Sequence, residues 1–328
     1  MYLKDYSPAL KYGAKIRPQD LAGMIGLPYV GDVYYIDPTN GADTHGGMSQ
    51  DDAFKTLSAA LTAVTDNHHD VIVIVPAGTG TGTGITETAA ITWSKNLVHL
   101  VGNVTSGPIA SRARIGCSTN AISPFITMTG SGNSIHNVQI NSNGATDYIC
   151  FELNGAARNY FENCQIGVQN ATAAANSACY DLYLYNASDE NYFNNCVIGY
   201  DTFNRAAGSN VALALHCARN IFYHCTLAMF ASAAAPFFIQ TNGHQPLYND
   251  VTFDSCIFKN AVGAGATAIT AATSLSTDDP SGDVLLINPF MVNGANVAWG
   301  TVATIYANGI SSNGTYAQGI GVSVHPTT

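Results

Sequence analysis

The stretch Asn159-Tyr-Phe-Glu-Asn-Cys164-Gln-Ile166 decides the fold, because similar stretches recur about every 30 residues. The copies are Asn191-Tyr-Phe-Asn-Asn-Cys196-Val-Ile198, Asn220-Ile-Phe-Tyr-His-Cys225-Thr-Leu227, a weaker copy from Asn249 through Cys256 to Phe258, and a copy without cysteine from Asn133 to Ile140. Successive cysteines are 32, 29 and 31 residues apart. A fixed period of this length indicates stacked repeats.

Polar and apolar residues alternate within each copy, and a second alternating run, such as Phe151-Glu-Leu153, lies just upstream. Alternation with a period of two is typical of a strand that buries one face. Turn residues such as Asn154-Gly155 separate the two runs. We therefore expect each repeat to contain a strand, a turn, a second strand and a longer variable loop. Stacking such units in register predicts an all-β protein, a single-stranded parallel β-helix.

The cysteines of successive repeats are predicted to form an internal core ladder. Neighbouring coils lie about 4.8 Å apart, and small apolar side chains stack well at that distance. Unpaired cysteine is also among the most buried residue types. The ladder comprises Cys164, Cys196, Cys225 and Cys256.

Disulfides are the alternative for these cysteines, but stacked neighbours rarely offer the required side-chain torsion. No metal site is predicted, because the spacings typical of zinc ligands are absent from the sequence. The asparagine that begins each copy is expected at a bend, where its amide satisfies backbone groups.

Three regions are expected along the chain: an extended N-terminal arm (1–30), the β-helix (31–290) with a capping helix near 50–65, and a last coil with a C-terminal tail (291–328). Ser49 is the expected N-cap of the capping helix, with Asp52 at its third position. This helix would close the open end of the β-helix. In the preceding loop, Asp37, Asn40 and Asp43 favour an Asx turn over a calcium site.

The charge of the chain limits the kinds of partner that it can be expected to bind. Charged residues make up 10% of the sequence, well below the usual quarter, and the net charge is −10. Residues 1–30 carry a net +2 and the remainder −12. An acidic body disfavours nucleic acid, and no apolar run is long enough to span a membrane, so neither partner is expected.

The basic, apolar arm is predicted to bind an acidic partner surface, a solvated tail being the alternative. Its candidate contact residues are Lys4, Tyr6, Lys11, Tyr12, Lys15 and Arg17. The N-terminus lacks the layout of a secretory signal, which disfavours a secreted enzyme.

Two stretches carry a resemblance to known families. Residues 33–103, with Tyr35-Ile-Asp37, Asn40-Gly-Ala-Asp43, Val73-Ile-Val-Pro76-Ala-Gly78 and Asn96-Leu-Val-His-Leu-Val-Gly102, resemble the opening of right-handed β-helix proteins of the pectate-lyase-like superfamily. The arm before them, from Leu3 to Leu21, resembles virion proteins of tailed phages. The first resemblance implies a right-handed coil, and the second implies a place in a virion.

The catalytic motifs that the superfamily resemblance would imply are not matched. Arg112-Ala-Arg114 stands where Arg-x-Lys would be needed, and Gly243-His244 lacks its second glycine. Asp51-Asp52 falls in the expected capping helix. No catalytic residue and no cofactor are therefore predicted. The alternative is a glycosidase carboxylate pair on neighbouring coils. Its candidates are Asp181, Glu152, Glu162 and Asp201, beside the aromatic residues Tyr180, Tyr183, Tyr185 and Tyr200.

The sequence thus predicts a non-enzymatic virion structural protein of a tailed phage, a capsid decoration (cement) or spike protein. Its arm would anchor it to other virion proteins, either the major capsid protein or a tail component, and the resemblance implies a homotrimer. Two alternatives stay open. One is a receptor-binding tailspike that binds or hydrolyses a cell-surface glycan. The other is a secreted polysaccharide lyase or hydrolase.

Overall fold

The computed structural model describes residues 22–23, 26–27, 30–75, 84–104, 113–117, 121–214, 216–233, 236–241, 249–261, 275–277, 284–292 and 305–308. The six candidate contact residues of the arm, Lys4 to Arg17, lie outside the described residues. So does most of the predicted C-terminal tail.

Three parallel sheets form the body, and their strands are numbered in chain order. Sheet A has ten strands: β1 (Val33–Ile36), β2 (Val71–Ile74), β5 (His99–Gly102), β8 (Ser134–His136), β11 (Tyr160–Glu162), β14 (Tyr192–Asn194), β17 (Ile221–Tyr223), β20 (Val251–Asp254), β23 (Val284–Ile287) and β25 (Ile305–Asn308). Sheet B has eight: β3 (Ile85–Glu87), β6 (Arg114–Cys117), β9 (Gln139–Ser142), β12 (Gln165–Val168), β15 (Val197–Arg205), β18 (Thr226–Ala231), β21 (Ile257–Asn260) and β24 (Phe290–Val292). Sheet C has seven: β4 (Ile91–Trp93), β7 (Ile126–Met128), β10 (Ile149–Asn154), β13 (Tyr180–Tyr185), β16 (Ser209–Leu213), β19 (Phe237–Thr241) and β22 (Leu275–Thr277).

This arrangement confirms the predicted all-β parallel β-helix, but the prediction of two strands per repeat is wrong. One coil, such as β11, β12 and β13, passes once through each sheet. The repeated stretch itself spans two sheets, because Asn163 adopts a left-handed backbone (φ 54°) between β11 and β12. The equivalent residues of the neighbouring coils, Asn195 and His224, do the same. Alternation continues across this sharp bend, so the sequence pattern does not reveal it.

A column of stacked phenylalanines fills the core beneath sheet A. Phe161, Phe193, Phe222 and Phe253 are register partners and are fully buried. Their ring centroids are 4.6, 4.6 and 4.4 Å apart, and neighbouring rings are within 12° of parallel. Burying one such side chain contributes roughly 1.5–3 kcal/mol, so each coil that adds a ring to the column gains this amount.

The four cysteines of the predicted ladder lie in the core at the bend between sheets A and B. Each is at most 1% exposed. The Cys196 thiol donates to the carbonyls of Phe161 (3.6 Å) on the preceding coil and Asn194 (3.4 Å) on its own. Cys164, Cys225 and Cys256 repeat this pattern. Burial raises the pKa of the thiols of Cys164, Cys196 and Cys225 well above its ordinary value.

The first asparagine of four of the repeats forms a second, hydrogen-bonded ladder, which confirms the role predicted for these four at a bend, whereas Asn249 of the weaker copy is exposed. Asn133, Asn159, Asn191 and Asn220 are at most 1% exposed. The side-chain oxygen of Asn191 accepts from the backbone N–H (3.0 Å) and the amide (3.0 Å) of Asn159. Its amide donates to Ala156 O (3.0 Å) and to the side-chain oxygen of Asn220 (3.0 Å). The ladder thereby satisfies backbone groups that a strand ladder leaves unpaired at a bend.

The capping helix exists, but its predicted start at Ser49 is wrong. Gln50–Asp52 is a short 3-10 helix without a side-chain cap, and the α-helix, α1, covers Leu57–Ala63. Its N-cap is Thr56, whose hydroxyl accepts from Ala59 N. Leu57 and Leu61 of α1 join the core cluster at the end of the body marked by β1 and β3.

Glu87, on β3, completes the helix start. Its Oε1 accepts from the backbone N–H of Leu57 (2.7 Å) and its Oε2 accepts from the hydroxyl of Ser58 (2.7 Å). A carboxylate at a helix N-terminus is favoured by the unpaired N–H groups there. Because the acceptor comes from a strand 30 residues away, local capping patterns could not identify it.

The Asp37–Asp43 loop contains the expected Asx turn. Asp37 Oδ1 accepts from the backbone N–H groups of Thr39 (2.8 Å) and Asn40 (2.9 Å). Asp43 Oδ1 accepts from Lys55 N and Thr56 N, both at 2.9 Å. Asp37 therefore fixes the turn within the loop, and Asp43 holds the loop against the start of α1. Elsewhere a second 3-10 helix covers Ala173–Ala175. Within the described ranges, no helix has the length and apolar character that a membrane crossing requires.

Candidate functional site

Asp181, the centre of the alternative glycosidase site, is fully buried within an ion pair. Its Oδ2 accepts from Arg205 (2.7 Å) and from the amide of Asn210 (2.9 Å), and its Oδ1 accepts from Val168 N (2.8 Å). Burial raises the pKa of Asp181, while the charge of Arg205 opposes the rise. Both oxygens are occupied and none of the side chain is exposed, so this carboxylate has a structural role.

The other three candidate carboxylates lie one on each sheet. Glu152 lies on sheet C, where its register partners are Thr127 and Tyr183. Glu162 lies on sheet A and contacts His136 (3.2 Å). Asp201 lies on sheet B and pairs with Lys259 (2.8 Å). Asp181, the centre of the alternative site, is therefore engaged by Arg205, Asn210 and Val168 N.

The four aromatic candidates lie in two different parts of the structure. Tyr183 and Tyr185 lie together on sheet C with ring centroids 5.3 Å apart, and Tyr180 contacts Tyr183 at 5.1 Å. Tyr200 is instead buried on sheet B, where it receives a hydrogen bond from Gln139 (3.0 Å). Burial raises the pKa of Tyr200, so its hydroxyl stays protonated at neutral pH.

A polar pocket of about 220 Å³ lies on sheet B, and we call it the sheet B pocket. It crosses four successive coils, from β3 to the residue after β12. Its lining residues are Gly84, Ile85, Thr86, Arg114, Gly116, Cys117, Gln139, Asn141, Asn143 and Gln169. Among the lining residues that the structure describes, four carry amide side chains and Arg114 is the only charged one.

Gln139 is the central polar group of the sheet B pocket. It is 4% exposed, and its amide donates to Gln165 Oε1 (2.9 Å) and to the hydroxyl of Tyr200 (3.0 Å). These two bonds fix the side-chain plane. Its Oε1 is buried and has no hydrogen-bond partner. An unsatisfied buried acceptor costs about 1–3 kcal/mol, and a hydrogen bond from a ligand hydroxyl would offset part of that cost.

Arg114 supplies the matching unpaired donor. Its Nε is also buried without a partner, and the residue is register partner to Gln139 on the next coil. Gly116, which lies two residues after Arg114 on β6, leaves room for the amide of Asn141. A Cβ at position 116 would lie only 3.0 Å from Asn141 Nδ2. The Asn141 amide donates to Asn143 Oδ1 (2.6 Å), which holds both side chains in the wall.

The pocket holds binding groups rather than catalytic ones. None of the described residues that line it is a carboxylate or a histidine. The Cys117 thiol donates to Asp147 Oδ2 (3.1 Å), and burial is the main cause that raises its pKa. A protonated thiol is a poor nucleophile. The arrangement offers fixed amide and guanidinium groups, which suit a ligand rich in hydroxyl groups.

Sequence reasoning missed this pocket, although the signal was visible. Gln139 and Gln165 occupy the same position of the repeat, where the later coils carry Val197 and Thr226. Arg114 was considered only as part of an incomplete catalytic motif. A change from glutamine to valine and threonine along one column of the sheet indicates a local site rich in amides. That column can be recognised only when the three strands of each coil are known.

A row of histidines lies on sheet A, away from the pocket. His99 Nε2 contacts His69 Nδ1 (3.0 Å), its Nδ1 contacts the hydroxyl of Ser134 (2.8 Å), and the two histidine rings are stacked. Burial, and then the neighbouring His69, lower the pKa of His99 to about 4. His136 adds to this effect, and Asp70 opposes it.

This burial predicts an acid-sensitive fold. The unfolded chain protonates His99 near pH 6.5, whereas the folded chain does so near 4. The unfolded state therefore binds more protons in this window, and stability falls as pH decreases through it. Between pH 7 and 4 the loss from this group is about 3 kcal/mol, at 1.36 kcal/mol per pKa unit. Urea titrations of wild type and His99→Gln at both pH values measure it. Equal pH dependence in the two proteins would contradict the assignment.

Comparisons with known proteins give structural matches only. No protein-family model matches the chain, and no curated protein sequence matches it. Among solved structures, a rhamnogalacturonan lyase is 16% identical with a TM-score of 0.49, over 80% of this chain and 68% of that one. The pectin methylesterase from Aspergillus niger is 12% identical (TM-score 0.45; 89% and 91%), and pectate lyase Pel9A is 14% identical (0.40; 90% and 82%). Matches of this degree carry no information on activity.

Proposed function

We propose that this chain is a non-enzymatic β-helical protein that binds a glycan in the sheet B pocket. The observation that carries the proposal is Gln139, which lines the pocket and whose buried Oε1 has no hydrogen-bond partner. Glycans present many hydroxyl donors and acceptors, and planar amide and guanidinium groups match them. A rigid β-helix holds such groups in place at little entropic cost on binding.

Binding without cleavage is favoured by the position of the acidic groups. Glycoside hydrolysis by the usual route needs two carboxylates that flank one bond. The pocket lining contains none within the described residues, and Asp181 is occupied by Arg205 and Asn210. A ligand in this pocket would be held by hydrogen bonds alone.

The setting that we propose is a virion of a tailed phage, with the chain as a decoration or spike protein. Support comes from the composition of the arm, whose basic and apolar residues suit attachment to another virion protein. In this setting the glycan belongs to the host surface, and a homotrimer would present three pockets. Removal of residues 1–30 should abolish co-assembly with the virion while glycan affinity stays unchanged.

Binding is tested by screening an array of bacterial oligosaccharides and titrating the best binder by calorimetry. Gln139→Met keeps the side-chain length but removes the amide, and Arg114→Ala removes the guanidinium. We expect each to weaken binding about tenfold, because one lost hydrogen bond of this kind contributes about 1.4 kcal/mol.

Arg158→Ala is the matched control. Its guanidinium is exposed and pairs with Glu190 (2.7 Å) outside the pocket. Affinity should be unchanged in this variant, and product analysis by mass spectrometry should detect no cleaved oligosaccharide. Binding that survives both pocket substitutions, or release of shorter products by the wild type, would reject the proposal.

A further inference from the structure

A second cluster of ligating side chains lies at the N-terminal end of sheet A, separate from the sheet B pocket. Asp32 immediately precedes β1, while His68 and Asp70 lie in the turn that leads into β2. The pairing of β1 with β2 brings these two chain segments side by side. One ligand atom from each residue lies within 4.8 Å of the other two.

The buried member of the cluster is held rigidly. Asp70 is fully buried, its Oδ1 accepts from Asp32 N (2.7 Å), and its Oδ2 accepts from Thr65 N (2.7 Å). Ligating carboxylates are commonly oriented in this way by hydrogen bonds from behind. The His68 Nδ1 lies 2.6 Å from Asp70 Oδ1, so both donor atoms already converge.

The front of the cluster is open. Asp32 and His68 are exposed, so an ion and its remaining waters have access. The chain passes close behind at Gly31, where a Cβ would clash with Asp70 Oδ1 and approach His68 Nδ1 to 2.6 Å. Any other residue at that position would push a side chain into the donor atoms. Gly31 thus keeps the space around them free.

We propose that Asp32, His68 and Asp70 form a zinc-binding site that links the first two strands of sheet A. Imidazole nitrogen and carboxylate oxygen are established zinc ligands, and three protein ligands with water completing the shell is a known arrangement. The net charge of −10 favours cation binding in general. This proposal is independent of the glycan pocket.

The test is calorimetric titration of zinc chloride into untagged, chelator-treated protein, with Asp32→Asn and His68→Gln as variants. Both replaced residues are exposed. The fold should therefore survive, and circular dichroism checks it. We expect each variant to bind zinc at least tenfold more weakly than wild type. Substitution of residues that only orient metal ligands typically lowers metal affinity by about 10–100-fold, and loss of a ligand should cost no less.

His45→Gln is the matched control, because His45 also faces an aspartate, Asp52, at 3.9 Å. Zinc affinity should be unchanged in this variant. Failure of the wild-type protein to bind zinc at millimolar concentration would overturn the proposal. Equal affinity in wild type, Asp32→Asn and His68→Gln would overturn it as well, because zinc would then be bound by other groups. Neither result bears on glycan binding.

Discussion

Replacing Asn191 by alanine is expected to lower the free energy of unfolding by about 4 kcal/mol. The side chain takes part in four hydrogen bonds that join three successive coils. Its removal leaves the backbone N–H of Asn159 and the carbonyl of Ala156 buried without these partners. Each such group costs about 1–3 kcal/mol. Chemical denaturation followed by circular dichroism measures the loss.

Asn204→Ala is the control for this substitution. Asn204 lies on β15 with its side chain exposed to solvent. Its replacement should change stability by less than about 0.5 kcal/mol, as is usual for surface positions. If the two variants lose the same stability, the asparagine ladder does not couple the coils as described.

Replacing Arg205 by methionine is expected to cost a similar amount, about 3–5 kcal/mol at neutral pH. The substitution leaves the carboxylate of Asp181 fully buried without its counter-charge. Removing one partner of a buried pair is costly for that reason. Arg205 also donates to the backbone carbonyls of Cys179 (3.2 Å) and Ser209 (3.3 Å), which lose a donor as well.

The pH dependence separates lost charge pairing from lost packing. Without Arg205 the pKa of Asp181 should rise further, because burial then acts unopposed. A carboxylate with a raised folded-state pKa destabilises the fold as pH increases through the window above 3.8. The stability that Arg205→Met has lost relative to wild type should therefore shrink toward pH 4. Lys259→Met, which breaks the exposed pair with Asp201, should cost less than about 1 kcal/mol and show no recovery. A pH-independent loss in Arg205→Met would contradict the ion-pair assignment.

The periodic features of the chain were readable from its residues. The recurrence of cysteine and asparagine predicted a parallel β-helix, because only stacking gives equivalent residues equivalent surroundings. The same reasoning predicted that the first asparagine of each repeat serves a bend, as Asn191 does. Two strands were predicted where the coil has three, because a left-handed residue such as Asn163 turns the chain without interrupting the alternation.

Contacts between distant segments could not be read in this way. Glu87 caps a helix that begins 30 residues earlier, and Asp32 meets His68 only because β1 pairs with β2. Asp181 was considered as a surface carboxylate because alternation places it on the outward face of its strand. The structure buries it against Arg205, which comes from the long strand β15. Local periodicity does not indicate whether a neighbouring segment covers the outward face of a strand.

A crystal structure of the protein with its best-binding oligosaccharide tests glycan binding in the sheet B pocket most directly. We expect ligand density on sheet B between β3 and β12, with a sugar hydroxyl donating to Gln139 Oε1 and an oxygen accepting from Arg114 Nε. An intact oligosaccharide is expected in that density. Density on the outer face of sheet A or sheet C, with the sheet B pocket holding solvent alone, would contradict it.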